Sequence, residues 1–209
     1  AERLLVEKKV LTIFGGWSPS NRRTLKKIIE KHKSLLMFPA RDEGMEDSEY
    51  IIYCGSTPNQ VVSPAIRYFV EQGVLKRLFV IGTDGLSSNI SAQLIRDELK
   101  AFPQVSVVGE HFALLGETGF KKTLDKIRET KPDLIFNFMI GVSNPAFFRE
   151  LRSAGITAKQ IPTASFAVGE PELQQTADLD MVGEYLAASH FHSLKTTQNV
   201  EFVKNIRRK

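Results

Sequence analysis

One stretch constrains the fold of this chain more than any other: residues 10–39, VLTIFGGWSPSNRRTLKKIIEKHKSLLMFP. An apolar run at 10–14 stops at Gly15-Gly16, a Trp-Ser-Pro turn follows, and a cationic segment leads into a second apolar run at 35–38. Leu25, Ile28 and Ile29 fall at helical spacing, with Ser18 placed as N-cap and Pro19 at the first helical position, where its missing N–H costs nothing. The pattern predicts a parallel β-α-β unit. Its Gly-Gly-Trp-Ser loop then lies at the carboxyl end of the first strand, where open α/β sheets bind ligands. The glycine spacing fits neither a dinucleotide fingerprint nor a P-loop. A small polar ligand, uncharged or zwitterionic, suits such a loop better than a nucleotide phosphate, and Trp17 either lines the crevice or plugs it.

The length of 209 residues and a hydrophobic content of 42% suffice for one large domain or two small lobes. Lys plus Arg number 28 against 24 acidic residues, with both signs interspersed, which is a solvated surface and not a nucleic-acid footprint. The dense basic cluster Arg207-Arg208-Lys209 is expected to close a helix, where it suits the dipole. The single cysteine, Cys54, excludes an internal disulfide and is expected to be buried in a strand with Ile51, Ile52 and Tyr53. No apolar run approaches the roughly 20 residues of a membrane span. The chain begins without Met inside a predicted helix (2–8) and ends in another, as a piece of a longer protein would.

Helices alternate with strands throughout. Strands are predicted at 10–14, 35–38, 50–54, 78–82, 105–108, 134–139 and 161–166, with a mixed segment at 110–115 and a strand-like run at 181–189. Helices are predicted at 60–73, around the pairs Ile90 with Leu94 and Ile95 with Leu99, from Thr118, from Pro145 under an Asn144 cap, and briefly at 170–174. Such alternation argues for parallel sheets covered on both faces. The acidic connection at 41–49 lacks the spacing of a calcium loop and is expected to be solvated.

The remaining polar residues form no catalytic set. Serines near glycines (Ser18, Ser87, Ser143) lack the nucleophile elbow, and no base pairs with them. His190 and His192, two apart, would share one face of a strand but have no third ligand nearby, so no metal site and no cofactor is expected. Asp84, just past a strand end, is a candidate ligand contact or a helix cap.

The landmarks GGWSPSNRR, LLMFPARDEG, IIYCGSTPNQ, VIGTDG, FNFMIGVSNPAFFREL and AGITAKQIPTASF resemble, in order and over nearly the whole chain, type I periplasmic solute-binding proteins. The branch they are most similar to is the urea and short-chain amide binders of ABC transporters, related to the branched-chain amino acid type. The resemblance implies an α/β fold of two lobes with parallel, Rossmann-like sheets that close on a ligand, the first lobe being incomplete here. It divides the chain into residues 1–58 (part of lobe 1), 59–185 (lobe 2) and 186–209 (a return toward lobe 1 with a C-terminal helix). It implies ligand contacts from Trp17, Ser18, Phe38, Asp84, Ser87 and Ser165. The family's aromatic-Thr-Ser turn falls on Trp17, Ser18 and Pro19, its Tyr-Pro-Thr stretch on Phe38, Pro39 and Ala40, and its Ser-Asp-Tyr-x-Tyr stretch on residues 83–87. Several hydroxyls and rings are therefore replaced. Each unsatisfied hydrogen-bonding group costs about 1 to 3 kcal/mol, so urea and acetamide are expected to bind weakly or not at all.

What the resemblance implies is non-catalytic capture of a small solute in the periplasm or outside the cell. The partner would be an ABC transporter permease or, in a sensing protein such as a receptor kinase, a fused signalling domain. No nucleic acid is implied, and the chain itself is not expected to span a membrane. A flavodoxin-like enzyme is the third reading, and the missing phosphate loop and catalytic pair weigh against it.

Overall fold

The computed structural model describes residues 1–208. The elements in order are α1 (Glu2–Val6), β1 (Thr12–Phe14), α2 (Pro19–Lys31), β2 (Leu35–Phe38), β3 (Ile51–Tyr53), α3 (Pro58–Glu71), β4 (Arg77–Thr83), α4 (Leu86–Glu98), β5 (Ser106–Ala113), α5 (Lys121–Thr130), β6 (Leu134–Phe138), α6 (Ser143–Ser153), β7 (Thr163–Ser165), β8 (Tyr185–Leu186) and α7 (Thr197–Arg207). The chain divides into two compact units, one of Ala1–Tyr68 with Asp84–Phe102, the other of Phe69–Thr83 with the residues from Pro103 onward.

The first unit holds a three-stranded parallel sheet in the order β1-β2-β3. Period-two alternation sends Ile13, Leu36, Phe38 and Ile51 to one face, where Leu25 and Ile29 of α2 pack against them. The other face carries Phe14, 73% exposed, and Ile52. Ser18 caps α2 by accepting from the Asn21 N–H at 3.2 Å, and Pro19 opens the helix as its fixed φ allows. Past β3 the backbone touches itself: a Cβ on Gly55 would lie 2.1 Å from the Ala40 carbonyl oxygen, so only glycine fits.

The second unit is a five-stranded parallel sheet in the order β5-β4-β6-β7-β8. The central strands β4 and β6 are buried on both faces, as near-continuous apolar runs require. Phe79, Ile81, Ile135 and Met139 meet Phe120, Leu124 and Ile127 of the α5 segment and Phe147, Phe148 and Leu151 of α6. Elsewhere in this unit the rings of Phe69, Phe136, Phe166 and Phe138 follow one another at 4.8–6.1 Å.

Several local expectations are corrected. Residues 105–115 do not break into a strand and a mixed segment; β5 is one strand from Ser106 to Ala113 with a register shift that skips Val108, and the Phe79 ring fills the place a side chain at Gly109 would take. Helix α5 starts at Lys121 and not at Thr118, and α6 starts at Ser143, which puts Asn144 inside the helix and not at its cap. The run at 181–189 yields only β8, because Asp180 and Gly183 turn the backbone before it. His190 and His192 therefore share no strand face: His190 Nε2 bonds Asn199 Oδ1 at 2.7 Å, and Arg207 Nη2 reaches His192 Nε2 at 2.9 Å. Cys54 is exposed, since β3 ends one residue before it. Arg207 ends α7, with Arg208 as its cap, while Lys209 lies outside the described residues.

Candidate functional site

In the first unit the loop between β1 and α2 is held open by Gly15 and Gly16, at φ +148° and +86°. Trp17, next in sequence, is 68% exposed, so its indole is a surface ring and not a core plug. Ser18 spends its hydroxyl oxygen on the helix cap and lies 3.0 Å from Ser20 Oγ. Phe38, expected to face a ligand, is wholly buried in the core, because it falls on the β2 face that α2 covers.

Above Phe38 lies a charged cluster that sequence reading missed. The Arg22 guanidinium sits 5.3 Å from the Phe38 ring centroid. Its Nη2 donates to Glu43 Oε2 at 2.5 Å and its Nε to Glu46 Oε2 at 3.3 Å. Arg23 Nε adds a bond to Glu46 Oε1 at 2.9 Å, and Ser87 Oγ donates to Glu43 Oε1 at 2.6 Å. The acidic connection is thus not merely solvated: Glu43 is buried with Arg22 as its paired cation, and Asp42 is buried with its Oδ1 accepting from the Gly44 N–H at 2.7 Å. Burial pushes the Glu46 carboxyl up, but hydrogen bonds from Arg22 and Arg23 outweigh it and hold the group below the usual carboxylate range. Arg22 Nη1, Asp42 Oδ2, Tyr53 Oη and Ser56 Oγ are buried without a hydrogen-bond partner among the described residues. Asp84 is exposed, and α4 has Gly85 at its N-cap with no side-chain cap bond, so Asp84 does not cap it.

The second unit presents a neutral polar network at the carboxyl end of its sheet. Asn137, the one polar residue of β6, gives one Nδ2 hydrogen to Asn144 Oδ1 at 2.7 Å and the other to Ser165 Oγ at 3.1 Å, while its Oδ1 accepts from the Met139 N–H at 2.9 Å. Thr83 Oγ1 accepts from the Ile140 N–H at 3.1 Å. With Asn137 saturated, the Asn144 amide hydrogens and the Ser165 hydroxyl hydrogen remain to be donated. Both residues line a cavity of about 130 Å³ whose walls include Phe148, Leu173, Met181 and Tyr185. Glu184, also on its wall, is raised by burial, although Arg152 pairs with it and the Thr163 N–H bonds it. Among the described residues no cluster of His, Cys, Asp and Glu could hold a metal, and no helix is long and apolar enough to cross a membrane.

A family model described as periplasmic binding protein domain matches residues 1–209. The chain belongs to the periplasmic binding protein family. Solved structures share the fold. A solute-binding protein of an ABC transporter from R. palustris, in complex with 4-hydroxybenzoate, matches with a TM-score of 0.86 at 20% identity over 99% of this chain and 57% of that one. An amino acid ABC transporter substrate-binding protein from Pseudomonas fluorescens Pf-5 gives 0.81 at 17% identity, over 100% of this chain and 57% of the other. A branched-chain amino acid ABC transporter ligand-binding protein from Burkholderia xenovorans gives 0.82 at 17% identity, over 99% and 55%. The chain therefore spans somewhat more than half the length of these binding proteins.

Within this periplasmic binding protein, Ser87 and Phe38 are drawn into the Arg22–Glu43 cluster, and Ser165 into the Asn137 network. Trp17, Ser18 and Asp84 join neither network through a side-chain bond described above. Two of the missed residues left a trace in the sequence. Arg22 stands three and seven residues before Leu25 and Ile29, on the apolar stripe of α2, and Asn137 interrupts an apolar strand. Glu43 left none, since a loop has no period to violate.

Proposed function

We propose that this chain is the larger part of a non-catalytic solute-binding protein that captures a small, polar, amino-acid-like solute in the periplasm for an ABC importer. The supporting observation is the Asn137-keyed network: a buried amide orients Asn144 and Ser165 at the carboxyl edge of an otherwise apolar parallel sheet, leaving their donors unspent beside a cavity. Orientation fixed by a hydrogen-bonded amide is what a recognition surface needs, and the Ser165 hydroxyl has only neutral amides, Asn137 and Asn144, in its network and no base to activate it. Trp17 and Ser87 are assigned to the ligand-proximal surface of the first unit, with Ser18 and Asp84 beside them. Phe38 supports that surface from below as the floor of the Arg22 cluster.

Urea and acetamide are expected to be poor ligands, since Pro19, Phe38 and Ala40 lack the hydroxyls that would hold them. The test is a thermal-shift and calorimetric panel on the full-length protein containing urea, acetamide, the common amino acids, small amines and 4-hydroxybenzoate. A member retained unchanged with micromolar Kd, about −8 kcal/mol, supports the reading. Conversion of a retained compound into a product overturns it.

A further inference from the structure

In the first unit a chain of bonded side chains runs from the core to the surface. The Arg22 guanidinium, 1% exposed, lies against the Phe38 ring and donates from Nη2 to Glu43 Oε2 at 2.5 Å. The Glu43 side chain is 2% exposed, and its other oxygen, Oε1, accepts from Ser87 Oγ at 2.6 Å. Ser87 itself is an exposed residue in the first turn of α4. A carboxylate paired with a guanidinium only accepts, and a serine hydroxyl has one hydrogen and two lone pairs. The Ser87 hydrogen is therefore committed inward to Glu43, and what the hydroxyl turns outward is lone pairs. Arg22 holds Glu43 in that place, being itself fixed by Phe38 and Glu46.

We infer that Glu43 is a positioning residue that makes Ser87 an acceptor toward the solute, so that this surface selects a donor, the ammonium of an α-amino acid, over the carbonyl oxygen of the corresponding 2-oxo acid. The inference rests on the solute-binding reading above, which assigns Ser87 to the ligand-proximal surface, and it names what the hydroxyl reads there. An ammonium gives Ser87 Oγ a charge-assisted hydrogen bond, whereas a ketone oxygen meets it lone pair to lone pair and is left unpaired at that point. Glu43→Gln reverses the polarity. Toward Arg22 the amide must present its oxygen, since guanidinium nitrogens only donate, so its NH2 faces Ser87 Oγ and the Ser87 hydrogen turns outward.

The experiment is isothermal titration of the full-length protein with pairs that differ only in amine against ketone: L-alanine and pyruvate, L-valine and 3-methyl-2-oxobutanoate, L-leucine and 4-methyl-2-oxopentanoate. At least one of these amino acids is expected to bind about tenfold or more tightly than its 2-oxo partner, as a hydrogen bond to a charged group gives. Ser87→Ala should lower that ratio about tenfold and Ser87→Thr should keep it. Glu43→Gln should lower it further than Ser87→Ala, with the 2-oxo acid gaining affinity over the parent. Backbone N–H groups in the first turn of α4, which has no side-chain cap, are the same in every variant and cancel from the ratio. A Glu43 that merely held the fold together would move Tm and both affinities in step. A ratio unchanged in Ser87→Ala or in Glu43→Gln, a 2-oxo acid bound by the parent as tightly as its amino acid, or no binding of any of these compounds overturns the inference. The solute-binding reading is judged separately, since another member of the wider panel can be retained when none of these is.

Discussion

Arg22 brings a full charge onto the packed side of α2, 1% exposed, and the fold answers it with Glu43, Glu46 and the face of Phe38. Removing one partner of such a pair strands the other, so Arg22→Met is expected to cost about 3 to 5 kcal/mol, read as a loss in urea-denaturation free energy. Glu43→Gln should cost less, because Glu46 still pairs with Arg22 and the single amide oxygen keeps one of the two bonds that Glu43 accepts, from Arg22 or from Ser87. Trp17 is the opposite case. Its exposed ring predicts ready quenching of its fluorescence by iodide and a Trp17→Ala variant with Tm within about 2 °C of the parent, as surface substitutions usually give. Negligible quenching together with an unfolded Trp17→Ala variant would place the indole in the core and remove it from the ligand surface.

At the level of elements, the connection between β2 and β3 has no regular structure, yet it is pinned to α2 by Arg22, Arg23 and Lys26, the last donating to the Asp47 carbonyl at 2.6 Å. Glu46 makes this pinning pH-dependent. Its carboxyl titrates lower in the fold than in the unfolded chain, so its contribution is complete above the usual value of 4.5 and is lost as pH falls through the folded value. Glu184, raised by burial, works in the other direction. Subtracting the stability profile of Glu46→Gln from that of the parent isolates the first effect: the difference should shrink steadily below about pH 4.5 and be flat from pH 6 to 8. Gly55→Ala tests the same unit by sterics, since its Cβ meets backbone at 2.1 Å that cannot swing aside. A substantial fall in Tm is expected, and an unchanged Tm would show that the β2 and β3 carboxyl ends do not pack as described.

For the molecule as a whole, two parallel sheets follow from the strand runs at 10–14, 35–38, 78–82, 134–139 and 161–166, and the first two of these lie in one sheet and the other three in the second. The full-length protein is expected to give no calorimetric signal with urea or acetamide at millimolar concentration; micromolar binding of either would contradict the loss of the hydroxyls at Pro19, Phe38 and Ala40. Sequence alone determined the alternation of strand and helix, the Ser18–Pro19 start of α2 and the turn glycines, because these are set by side-chain periodicity and by φ preferences within a few residues. Tertiary structure decided the rest. Whether Phe38 faces solvent or core depends on which side of the sheet α2 covers, and the burial of Glu43 depends on an arginine in another element. The joining of Asn137, Asn144 and Ser165 depends on strand order in the sheet, since residues far apart in the chain become hydrogen-bonded neighbours only when β6 and β7 pair.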